Sequence, residues 1–124
     1  MTNHLPISSF IGKIFTKIVG MHKNSGEIVF STKNETFCMA GAEGYPTRND
    51  VDVYIEDVCG DVEDLIDTKI VAAIEAKSEN NQPTYTFYTL RTIKGTVTLR
   101  WYGTSNGYYA EEAEICQTRH KQRS

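Results

Sequence analysis

Short apolar runs of period two recur along the chain between turn signals, the pattern of an antiparallel sheet folded from hairpins. Glu27 to Ser31 predicts a strand, entered through Asn24-Ser25-Gly26 and left through Lys33-Asn34-Glu35, with Thr36 to Ala40 as its hairpin partner. Gly and Asn at such turns tolerate the backbone angles that tight reversals need. After a loop holding Gly41, Gly44 and Pro46, a further strand is expected from about Val51 to Val58. Lys69 to Lys77 and Thr84 to Thr92 form another expected pair, joined by the polar Ser78-Glu79-Asn80-Asn81-Gln82-Pro83. The clearest alternation is the last: Val97, Leu99 and Trp101 interleave with Thr96, Thr98 and Arg100, before Gly103-Thr104-Ser105-Asn106-Gly107 reverses the chain. One face is then core and the other wet. On the expected return strand Tyr109, Ala113 and Ile115 share one side, and Tyr108, Glu112 and Glu114 the other. Glu112 or Glu114 would face Arg100 as a cross-strand pair contributing ~0.2 to 1 kcal/mol.

Two segments carry helical signals. Phe10, Ile11, Ile14, Phe15, Ile18 and Val19 repeat at helical spacing, with Ser8 or Ser9 as a cap and Gly20 as a stop. The same stretch is rich in Ile, Val and Thr and suits a strand. The reading adopted is a helical turn near Ser8 to Ile11 followed by a strand. Asp61 to Asp67 predicts a short helix whose apolar face is Val62, Leu65 and Ile66. The fold class expected is α+β, mainly an antiparallel β-sheet of about six to eight strands in a hairpin meander, with one or two short helices. A single domain is expected, ordered over about residues 8 to 116, with a frayed tail at 117 to 124 that has no apolar residue.

Composition fits that picture. The 124 residues are 40% hydrophobic, 23% charged and 10% aromatic, as in an ordinary packed domain. Lys13 and Lys17 interrupt the longest apolar stretch, Phe10 to Met21, so no membrane span is expected. No secretory signal is visible. Cys38, Cys59 and Cys116 are far apart, odd in number and without a Cys-x-x-Cys pair, which argues for free thiols in a reducing cytoplasm. A zinc site would need these cysteines to converge with His22 or His120.

The net charge of −3 hides an asymmetry: of the 16 carboxylates, Asp50, Asp52, Glu56, Asp57, Asp61, Glu63, Asp64 and Asp67 fall in one stretch without a Lys or Arg. Carboxylates this dense repel one another, so some gain must offset the repulsion. Three gains are open. Asp61, Glu63 and Asp64 suit the first turn of the short helix, where they satisfy free N–H groups and the helix dipole. Hard oxygen donors suit magnesium or calcium, although the spacing matches no calcium loop. Finally, the segment can imitate nucleic-acid phosphate and present negative charge to a basic groove on a partner.

No catalytic residue emerges. Gly-x-Ser-x-Gly, a Gly-rich phosphate loop and His-Glu-x-x-His are all missing, and His4, His22 and His120 sit near the chain start, at a turn and in the tail. The aromatics Tyr85, Phe87, Tyr88, Trp101, Tyr102, Tyr108 and Tyr109 suggest either a stacking platform or sheet core. An acidic chain of pI near 5.6, with Thr and Glu rather than basic residues between those rings, disfavours direct nucleic-acid binding.

The run Val53-Tyr54-Ile55-Glu56-Asp57-Val58-Cys59-Gly60-Asp61-Val62-Glu63-Asp64-Leu65-Ile66, with Thr86-Phe87-Tyr88, Ile93-Lys94-Gly95 and Arg100-Trp101-Tyr102-Gly103-Thr104-Ser105-Asn106-Gly107-Tyr108-Tyr109, resembles a family of small domains of unknown function from bacteriophages and mobile elements. The likeness runs from about Gly12 to Ile115. Family members often carry a His followed by a Cys-Cys pair before the acidic segment; Tyr45-Pro46-Thr47-Arg48-Asn49-Asp50 holds neither, so no family metal site carries over. The resemblance implies a phage-type gene, and with it a non-enzymatic inhibitor, without cofactor, of a host defence protein in the host cytoplasm, a Cas effector above all. Glu56, Asp57, Asp61, Glu63 and Asp64 would meet Lys and Arg there as a DNA mimic, with Tyr108 or Tyr109 as a rim anchor. The alternatives are a metal-dependent module using the same carboxylates and a protein that sequesters a small nucleotide signal.

Overall fold

The computed structural model describes residues 3–41, 47–48, 51–78, 84–105 and 113–118. Within them the chain runs through ten strands: β1 (Asn3–Leu5), β2 (Lys17–Val19), β3 (Glu27–Ser31), β4 (Thr36–Gly41), β5 (Thr47–Arg48), β6 (Val51–Cys59), β7 (Ala72–Lys77), β8 (Thr84–Thr92), β9 (Gly95–Ser105) and β10 (Ala113–Thr118). The only helical pieces among them are 3₁₀ turns at Ile7–Phe10 and Val62–Leu65. The mainly antiparallel class is as expected. No helix among the described residues is long and apolar enough to cross a membrane.

The strands divide into two five-stranded sheets, ordered β1-β10-β4-β3-β2 and β5-β6-β9-β8-β7. Hairpin meanders account for β2-β3-β4 in one and β7-β8-β9 in the other. The strand β10, however, does not return beside β9: it crosses to the first sheet and pairs β4 and β1. Glu114 therefore stands opposite Ala40, while Arg100 stands opposite Asp57 and Phe87, so the expected register between Arg100 and the last strand is overturned. The reason is length. Strand β9 continues through the glycine at 103 to Ser105, filling the groove between β6 and β8, and both of its edges are already paired. Gln117 and Thr118, expected to fray, complete β10; positions 119–124 lie outside the described residues.

Alternation decides what is buried. Phe37 and Met39 on β4, Ile28 and Phe30 on β3 and Ile115 on β10 face inward from the first sheet. Val53 and Ile55 on β6, Tyr88 and Leu90 on β8 and Val97, Leu99 and Trp101 on β9 face inward from the second, and all join one hydrophobic cluster. The Trp101 Nε1–H donates to Met39 Sδ at 3.2 Å, a polar contact that spans the two sheets. At one end the core closes on four rings: Phe10 lies 4.9 Å from Phe15, 4.9 Å from Phe30 and 5.3 Å from Phe37 between centroids. Edge-on and tilted ring pairs at this spacing add to the area they bury.

The helical spacing of Phe10 to Val19 is not realised. Gly12 has φ +92, which ends the first 3₁₀ turn, and Gly20 has φ +93 after β2. A side chain at position 20 would run into the Glu27 carbonyl oxygen. Between these glycines the backbone acts as a seam: the Gly12 N–H donates to Ile70 O, Ile70 N–H to Lys13 O and Asp67 N–H to Phe15 O. Those bonds also explain why β7 starts at Ala72 rather than Lys69, since residues 69 and 70 are bonded to the seam.

Phe10, fully buried at 0% exposure, should lose ~3 to 5 kcal/mol of stability on Phe10→Ala, measured by urea unfolding. Ile93, 87% exposed at the β8–β9 turn, should change stability by no more than about 0.5 kcal/mol on Ile93→Ala.

Candidate functional site

The acidic segment is the path by which the chain leaves β6 and reaches β7 at the far edge of the sheet. It must pass over the end of β9 and β8, and Gly60, with φ +113 and no room for a side chain against the Thr96 carbonyl oxygen, starts that crossing. Leu65 is buried beneath the 3₁₀ turn. The Thr92 hydroxyl donates to Asp64 O, and Lys94 Nζ donates to Ile66 O at 3.0 Å, so the segment is bound to the tip of the β8–β9 hairpin.

The five carboxylates singled out from the sequence do not form one uniform surface. Glu56 lies on the outer face of β6, with Oε1 2.8 Å from Arg100 Nε in an alignment that makes an ion pair but no hydrogen bond. Asp57 follows a β-bulge between Ile55 and Asp57, and its carboxylate accepts the Val58 N–H at 3.0 Å and stands 3.8 Å from Cys59 Sγ. Asp61 caps the 3₁₀ turn by accepting the Glu63 N–H at 3.0 Å. Glu63 is exposed, and Asp64 is half-buried against Gly95. Asp67, exposed with φ +57, closes the segment. Three of the five thus have a partner in their own chain, while Asp61, Glu63 and Asp67 still show their charge to solvent. Lys94 adds a cation beside the segment through its bond to the Ile66 carbonyl. Tyr108 and Tyr109 lie outside the described residues.

The aromatics split between the two roles considered for them. Tyr88 and Trp101 are core, but Tyr54, Tyr85, Phe87 and Tyr102 gather on the outer face of the second sheet, each half-buried. Tyr102 lies 5.1 Å from Tyr54 and 5.8 Å from Tyr85, and the Arg100 guanidinium lies 5.9 Å from the Tyr85 ring. Cross-strand register makes the group: Tyr54 and Tyr85 both face Tyr102 on β9, and Phe87 faces Arg100. Sequence reading missed Tyr54 and Arg100 as members. The usable signal was parity, since both alternate with inward residues.

Cysteines and histidines do not converge on zinc. Cys59 is on the second sheet, whereas Cys38 and Cys116 face each other across β4 and β10 in the first. His22 is exposed at a turn beside the Lys23 carbonyl, and His120 lies outside the described residues. Among the described residues no three His, Cys, Asp or Glu side chains are grouped to hold a metal ion. The Cys38 thiol donates to Glu27 Oε2 at 2.8 Å. Burial, that hydrogen bond, the Glu27 charge and the neighbouring Cys116, in decreasing order, push the Cys38 thiol up from its ordinary 9.0 to about 12.

The chain belongs to a family described as Domain of unknown function (DUF7448), which matches residues 8–115. No curated protein and no solved structure matches it significantly.

Because the folded chain keeps a proton on Cys38 that the unfolded chain releases near pH 9, folding binds a proton between those limits. Stability should therefore fall as pH rises from about 9 towards about 12. Urea midpoints of the native chain and Cys38→Ala at pH 8 and pH 10 check this: the native chain should lose more between the two pH values.

Proposed function

We propose that the chain is a phage-encoded binding protein that inhibits a host defence complex without catalysis, engaging the basic nucleic-acid groove of a Cas effector in the host cytoplasm. Support comes from the display of Asp61, Glu63 and Asp67 at the end of the second sheet, where the crossover holds them away from the protein's interior. Exposed carboxylates at one end of a sheet steer a basic partner into place and repel nucleic acid from the same groove. The neighbouring outer face adds what charge alone lacks. Tyr54, Tyr85, Phe87 and Tyr102 form a pre-packed aromatic surface with an arginine at its edge, the composition that dominates binding energy in protein interfaces. Glu56 serves this reading differently from the other carboxylates: paired to Arg100, it fixes the guanidinium beside Tyr85 and offers little charge of its own.

The test neutralises charge without disturbing backbone. Asp61→Asn keeps an oxygen for the cap, Glu63→Gln keeps the side-chain length, and Asp67→Asn tolerates the left-handed backbone. The triple variant should keep the native melting temperature and bind a purified Cas effector at least ~10-fold more weakly, with a shallower salt dependence by calorimetry. Native-level affinity and native-level rescue of phage plating on a CRISPR-immune host by that variant would remove the basis of the proposal.

A further inference from the structure

We propose that Cys38 and Cys116 are a redox pair that closes a reversible disulfide between β4 and β10 on the outer face of the first sheet. The two residues are directly opposed in the antiparallel register. Residues so placed have Cα atoms about 4.5 or 5.5 Å apart, and both spacings fall inside the roughly 4.4–6.8 Å that a disulfide spans. Both thiols are free and only partly buried, so a small oxidant can reach them. Inward neighbours confirm the facing: Phe37 and Met39 flank Cys38, and Ile115 precedes Cys116, all three buried, which leaves both sulfurs on the solvent side.

The neighbourhood assigns an order to the chemistry. Glu27 accepts the Cys38 S–H and holds that thiol protonated, so the first exchange falls to Cys116. Its thiolate attacks a low-molecular-weight disulfide such as oxidised glutathione, forming a mixed disulfide and releasing one glutathione thiolate. Cys38 then gives up its proton and attacks the Cys116 sulfur, expelling the second glutathione. Two protein S–H bonds are lost and one protein S–S bond forms. The oxidant takes both electrons and leaves as two thiols, which accept the two protons. On β10, Glu114 lies two residues before Cys116 and so on the same face of the strand.

The position of this pair gives the bond a structural consequence. Strands β5 to β9, the whole second sheet, lie in the sequence between Cys38 and Cys116. A bridge there ties the two ends of that excursion together at its base. Closing so long a loop removes freedom from the unfolded chain far more than from the folded one. Oxidation would thus add a covalent cross-strand link within the first sheet, at the base of the excursion that builds the second. This is independent of the acidic segment, and its failure would leave the binding proposal untouched.

The full chain is incubated with oxidised glutathione, its remaining thiols are alkylated under denaturing conditions, and its peptides are mapped by mass spectrometry. The expected product has a Cys38–Cys116 bridge, Cys59 alkylated, a mass lower by two hydrogens, and a melting temperature raised by roughly 10 °C, all reversed by dithiothreitol. Cys59→Ser should behave identically, Cys116→Ser should show no rise in melting temperature, and Glu27→Gln should close the bridge faster at the same pH. Three alkylatable cysteines after exchange, or a bridge that uses Cys59, overturns the proposal. Zinc found bound to both thiols by elemental analysis, and released as they are alkylated, overturns it as well.

Discussion

Everything in this molecule depends on two sheets covering each other's inner faces. Neither could stand alone: an antiparallel sheet with Phe30, Phe37 and Met39 on one side, or Leu99 and Trp101 on one side, exposes more apolar surface than its hydrogen bonds can offset. The Trp101 indole reaching Met39 is the point at which the covering becomes specific, because a buried N–H must find an acceptor and the sulfur is the one provided. Around it the sheets are joined by backbone as well. Asn24 N–H donates to Ile55 O at 2.7 Å and Ile55 N–H to Ser25 O at 2.8 Å, so a loop of the first sheet completes the open edge of β6. An edge capped in this way is not left as a template for another chain.

The core requirement also dictates the route of the chain. The first sheet is left after β4 and regained only at β10, so its central pairing joins residues that are remote in sequence. Long-range pairing is expensive before the core forms, because the intervening chain must be closed into a loop. The β6-to-β7 crossover has a similar origin. With β9 and β8 occupying the middle of the second sheet, the chain has to travel across their ends, and the capped 3₁₀ turn is the compact way to do so.

Sequence reading did best where the physics is local. Strand β8 and strand β3 have the bounds that alternation and turn residues indicate, and the inward trio Val97, Leu99 and Trp101 is fully legible from period two. The turn at the start of the chain, followed by a strand, is also read correctly, because Gly12 and Gly20 punctuate a segment whose composition suits both states. The partner of the last strand was not legible. Alternation says which residues share a face, but not which of two sheets a strand joins; that depends on which edges remain open once the others have paired. The facing of Cys38 and Cys116 was hidden for the same reason, and so was the union of Tyr54, Tyr85 and Tyr102 on one outer surface.

The acidic segment shows how a local explanation and a functional one can share residues. Capping accounts for Asp61, the bulge for Asp57 and the ion pair for Glu56, since each satisfies a donor or cation of its own chain. Side-chain capping does not account for Glu63 and Asp67, whose carboxylates are exposed to solvent. Backbone geometry favours Asp or Asn at position 67, where φ is +57, whereas nothing of that kind constrains the exposed Glu63. The charge that local structure leaves unexplained is therefore chiefly that of Glu63, and the proposed contact with a basic partner would draw on it.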